Sequence, residues 1–140
     1  NYGPATRDRY FQIIDELQAS LSYVDYLGAL ERYRLEDLHD PRILRFANWL
    51  LDYPFADRLY PGALEAVHHA SRFGRTVVLS DGDAVFQPRK VELSGLWRVF
   101  NDNVLIFVHK EQELANVERF YPARHYVLID DKLRILVEVK

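Results

Sequence analysis

The 140 residues contain no cysteine and no methionine. Without cysteine there is no disulfide framework and no thiolate metal site, and the composition suits the cytoplasm, which is the expected location. Methionine is missing even at position 1, so the sequence is expected to be an interior piece of a longer chain. No apolar run approaches the roughly 18 residues that a membrane span needs, and the start has no signal-like pattern. The formal net charge is −3, with Lys and Arg dispersed among Asp and Glu. No basic face or polybasic run invites nucleic acid or a membrane surface. A small anionic substrate would have to be met by local positive charge.

What is present is a hydrophobic content of 49% and an aromatic content of 14%, enough for one globular domain with a core of its own. Its two halves differ in period. From Thr6 to about Gly74 the pattern is helical, with Tyr10, Ile13, Ile14, Leu17 and Leu21 at spacings of three and four on one face. "HDPRILRFANWLLDYP" reads as a helix with Asp40 at its N-cap and Pro41 at its first position, and Pro54 prevents its continuation. "YPGALEAVHHASRFGR" repeats the device between Pro61 and Gly74. From Arg75 the signal becomes short β-branched runs separated by helix-sized segments: "TVVLS", "NVLIFVHK" and "HYVLIDD". Such alternation predicts an α/β fold with a parallel sheet and right-handed crossovers. The expected division is a helical region over 1–60 and an α/β core over 61–140.

Ligands of parallel sheets sit beyond the carboxyl ends of the strands. Ser80 and Asp81, His109 and Lys110, and Asp130 and Asp131 stand at those ends. A Ser closing one strand, a Lys some 30 residues later and an Asp-Asp pair closing another strand 20 beyond resemble motifs two, three and four of the haloacid dehalogenase superfamily, most of whose members are magnesium-dependent phosphatases. The helical half is similar to the small cap that many members carry.

The stretch "VVLSDGDAVF" also reads as the superfamily's first motif, a strand followed by Asp-x-Asp, with Asp81 as nucleophile and Asp83 as general acid. Strand counting favours motif two, because otherwise no serine or threonine remains at a strand end before Lys110 except Ser94, in a helical stretch. The resemblance then implies a central nucleophile-bearing strand between those ending at Ser80 and Asp130. Nothing before residue 75 reads as such a strand, so it and the last strand are expected to lie outside the 140 residues, which alone would be inactive.

The implied chemistry is attack of an aspartate carboxylate on a phosphate monoester, giving an aspartyl phosphate that water hydrolyses. Mg²⁺ and Lys110 would offset the repulsion between anions. Ser80 would donate its hydroxyl to a phosphoryl oxygen, assisted by the backbone N–H groups of Asp81 and Gly82. Asp131 would bind the metal, and Asp130 would act on it through water or hold Lys110. Tyr26, Arg32, Tyr33 and Arg34 are the candidates for reaching a leaving group.

Each residue also has a plainer reading. Ser80 suits a turn before Asp-Gly, Lys110 suits the solvated start of the helix "KEQELANVERF", and Asp130 and Asp131 suit caps of the last helix. His68 and His69 are adjacent on a helix and lack the spacing of a metal pair. His109 reads as a packing residue close to Lys110. Trp49 and Trp97 read as core or as contacts between the helical region and the α/β core, rather than as a base-stacking platform. Two other functions stay open, a metal-free dehalogenase of the same superfamily and a non-catalytic binding module.

Overall fold

The computed structural model describes residues 3–139. The first half forms four helices: α1 (Pro4–Leu21), α2 (Tyr26–Arg34), α3 (Arg42–Leu51) and α4 (Ala63–Ser71), with a 3₁₀ turn at Phe55–Arg58. The three-and-four periodicity of α1 buries Tyr10, Ile13 and Ile14. They meet Ala29 and Leu30 of α2 and Ile43 and Leu50 of α3 in one apolar cluster. The Tyr10 hydroxyl donates to the Tyr26 carbonyl (2.8 Å), so the phenol enters the core without an orphaned polar end.

Local chemistry sets the helix starts. Asp25 accepts the Gly28 N–H at 2.7 Å as the N-cap of α2. Asp40 accepts the Arg42 N–H at 2.9 Å, so the expected cap of α3 operates, although regular helix begins at Arg42. The helix predicted to open at Pro61 begins at Ala63, after Gly62 with φ of 80°.

The second half holds β1 (Val78–Asp81), α5 (Phe86–Leu93), α6 (Leu96–Val99), β2 (Val104–Phe107), α7 (Leu114–Phe120) and α8 (Leu133–Glu138). The two strands pair in parallel, with Ser80 opposite Ile106 and Asp81 opposite Phe107. Helices α5 and α6 form the crossover, as the alternation predicts. Asp83 ends the turn after β1 and starts α5, because its Oδ1 accepts the N–H groups of Val85 and Phe86 at 2.8 and 2.7 Å.

Two expectations are corrected. "HYVLIDD" forms no strand: residues 125–130 pair with nothing in the two-stranded sheet. Val127 and Ile129 are exposed instead, at 76% and 85%, and Leu128 is half-buried. A strand exists through its ladder, and β1 carries no neighbour other than β2 among the described residues. The helix expected from Lys110 is broken, with a 3₁₀ turn at Lys110–Gln112 preceding α7.

The halves are joined by α5. Phe86 is buried in the helical cluster and meets Tyr26 and Phe55 at ring-centroid distances of 5.1 and 5.9 Å. Arg89 donates to the Leu51 carbonyl and pairs with Asp52 at 3.1 Å, tying α5 to the end of α3. Among the described residues no helix is long and apolar enough to cross a membrane.

Candidate active site at the carboxyl edge of the sheet

The turn after β1 is tightly built. Gly82 donates its N–H to Phe107 O at 3.0 Å, and Val78 donates to Asn103 O at 2.9 Å. Alternate residues therefore face β2, and the backbone groups of Leu79 and Asp81 face the opposite, open edge. This leaves the Asp81 N–H available to a ligand. The Gly82 N–H, expected to serve phosphate, is engaged in the ladder instead.

Gly82 is needed for another reason. A Cβ there would lie 2.4 Å from Gln87 Cβ and 2.6 Å from its Cγ. Gln87 in turn donates from Nε2 to Ser80 Oγ at 2.8 Å. With an acceptor site of Ser80 filled by Gln87, its hydroxyl proton is directed elsewhere, and the nearest acceptor is the distant Asp81 carbonyl at 3.4 Å. Ser80 is thus set as a donor. We expect Gly82→Ala to destabilise the protein by about 1–3 kcal/mol, measured by urea unfolding. A variant with an unchanged midpoint would show that Gln87 yields without cost.

Lys110 is the centre of the arrangement. It is 8% exposed although it is a lysine. It follows His109, whose φ of 65° places the backbone in the left-handed region and turns the chain back toward β1. The Lys110 N–H donates to Asp81 Oδ1 at 2.7 Å. Its Nζ pairs with Asp130 Oδ2 and reaches the Leu79 carbonyl at the open edge of β1 (3.5 Å). Asp130 Oδ1 accepts the Lys132 N–H at 2.8 Å, so both of its oxygens are occupied. Burial pushes the Asp130 carboxyl up, but the Lys110 ammonium and the Lys132 N–H outweigh it and hold the group below its ordinary range.

Asp81, Lys110 and Asp130 are therefore brought into direct contact across 49 residues of sequence, and Ser80 stands next to them on β1. Asp131 is exposed, and no hydrogen bond or ion pair engages its side chain among the described residues. A hard divalent cation prefers such carboxylate oxygens. The described residues contain no group of three His, Cys, Asp or Glu able to hold an ion by themselves.

Sequence reasoning missed three contributors. Gln87 has no signal of its own beyond its distance from Gly82. The Asp81 carboxylate proves to be a backbone acceptor for Lys110. Glu111 is buried next to Lys110; its Oε1 lies 3.4 Å from Arg134 and 3.7 Å from His109, and its Oε2 has no hydrogen-bond partner among the described residues. Desolvation raises the Glu111 carboxyl, yet its own backbone N–H and Arg134 prevail and lower it. His68 and His69 are exposed.

A parallel strand pair with a serine and a buried, ion-paired lysine at one edge is an α/β arrangement with its polar side chains where such sheets bind ligands. The chain superposes with a TM-score of 0.91 on a crystal structure from Burkholderia xenovorans LB400 described as a haloacid dehalogenase-like hydrolase. The two are 55% identical, and the match covers 98% of this chain and 64% of that one. The chain belongs to the haloacid dehalogenase superfamily. No protein-family profile and no curated protein sequence matches it.

Proposed function

We propose that the whole protein is a magnesium-dependent phosphomonoester hydrolase, in which these residues form the phosphoryl-binding half of the site. The carrying observation is Lys110, a buried lysine at the carboxyl edge of the sheet whose backbone N–H is held by Asp81 and whose ammonium is paired with Asp130. A compact positive charge held there suits a transferring phosphoryl group, whose oxygens carry the developing charge. The Ser80 hydroxyl, oriented by Gln87, donates to a second phosphoryl oxygen, and the open-edge N–H of Asp81 to a third.

Asp131 would help hold Mg²⁺, which when bound supplies positive charge and orients the phosphoryl oxygens. Asp130 positions Lys110 rather than meeting the metal directly. The attacking carboxylate is assigned to the segments that the Burkholderia protein has beyond the match, because the Asp81 carboxylate is engaged with Lys110. Residues 1–60 act in this reading as a cap over the site that excludes water during attack.

The test uses a polypeptide extended to the length of that relative, assayed with a generic aryl phosphate and Mg²⁺. Ser80→Ala should slow turnover by about 10²-fold or somewhat less. Asp81→Asn keeps both the backbone N–H and a side-chain acceptor for Lys110, so substantial activity should survive. A dead Asp81→Asn beside a healthy Ser80→Ala would make Asp81 the nucleophile. Halide release from a 2-haloacid without phosphate release would instead favour the dehalogenase.

A further inference from the structure

Between α1, α2, α3, the 3₁₀ turn and α5 lies a cavity of about 510 Å³ that no step above uses. Its walls are aromatic. Tyr10 meets Phe46 edge to face at 5.0 Å, Phe46 stacks on Trp49 at 5.8 Å, and Tyr26 and Phe55 flank Phe86. Trp49 is 55% exposed, so the cavity opens to solvent past a large apolar ring. The volume lies within the range of small-molecule sites, roughly 300–1,000 Å³.

Charge narrows the occupant. Arg7, at the same cavity, is paired with Asp8 at 2.8 Å. Lys90 also lines it and has no carboxylate partner among the described residues; its Nζ stands 5.9 Å from the centre of the Phe55 ring. An apolar cavity with one unneutralised ammonium on its wall complements a ligand that carries a flat ring and one negative charge. Aromatic walls offer ring edges and faces to such a ring, and the ammonium fixes its orientation.

We propose that this cavity binds a small aromatic acid, with the ring among Tyr10, Phe46, Trp49 and Phe86 and the anionic group on Lys90. The proposal does not rest on the phosphohydrolase reading. Helix α5 nevertheless connects the two places, since Phe86 and Lys90 line the cavity while Gln87 of the same helix holds Ser80.

The experiment titrates the 140-residue chain with 2-naphthoate and, separately, with the neutral 2-naphthalenemethanol, following tryptophan emission in a Trp97→Phe background so that Trp49 alone reports. Saturable quenching is expected, with the acid binding about fivefold or more tighter than the alcohol. Lys90→Gln should remove that preference while leaving binding of the alcohol unchanged. Equal affinities for acid and alcohol in the unsubstituted chain, or an acid preference that survives Lys90→Gln, would overturn the assignment. So would an absence of saturation, or a concentration-dependent dimer whose formation accounts for the quenching.

Discussion

Asp130→Ala is expected to remove about 3–5 kcal/mol of folding stability, which is large for one side chain on a short segment. The reason is the ammonium it abandons. Lys110 and Asp130 are buried together, with side chains 10% and 7% exposed, and removal of the carboxylate leaves a charge in a poorly hydrated place with only the Leu79 carbonyl at 3.5 Å. Replacing both partners, as in Lys110→Met with Asp130→Leu, should restore most of the loss, because no charge is then stranded. Urea unfolding of the two single variants and the double one gives the coupling directly. Additive losses would mean that the pair is solvated in solution. The acid limb of stability adds a second reading. Because the folded Asp130 carboxyl lies below its ordinary range, its contribution is complete above the unfolded value of about 3.9 and fades as pH falls through the lower folded value. The unsubstituted protein should therefore lose stability more steeply below about pH 4 than Asp130→Ala does.

The same double variant isolates catalysis from folding. In the extended polypeptide, Lys110→Met with Asp130→Leu should remain folded and yet turn over an aryl phosphate about 10²–10³-fold more slowly, the usual effect of losing one fixed group aimed at developing charge. Steady-state kinetics on protein shown to be folded by circular dichroism decides the point. Retained turnover would reduce Lys110 to a structural lysine. A rise in KM at constant kcat would limit it to ground-state binding.

Much of the architecture is legible in the amino-acid sequence. The spacing of Tyr10, Ile13 and Ile14 gives the buried face of α1 because helical geometry is local, and Asp40 before Pro41 gives the start of α3 for the same reason. The strands ending near Ser80 and Phe107 follow from β-branched runs separated by a crossover. The segment 125–130 shows where such reading stops. Its composition is that of a strand, but strand formation depends on a neighbour, and composition carries no information about one. The roles of Gln87 and of the Asp81 carboxylate are hidden too, since each depends on an approach of a few ångströms that only the packed turn creates. Phe86 gives no sign in the sequence that it pins the two halves together, because its partners, Tyr26 and Phe55, are 60 and 31 positions away.

The open side of β1 bears on how this polypeptide behaves in the test tube. The outward N–H and C=O groups of Leu79 and Asp81, together with the alternating exposed Val127 and Ile129, are a template on which a strand from another molecule can add. What stands in the way is the Lys110 ammonium resting on the Leu79 carbonyl: a charge at a sheet edge is a deterrent to intermolecular pairing. The lysine that pairs with Asp130 thus also opposes edge-to-edge association.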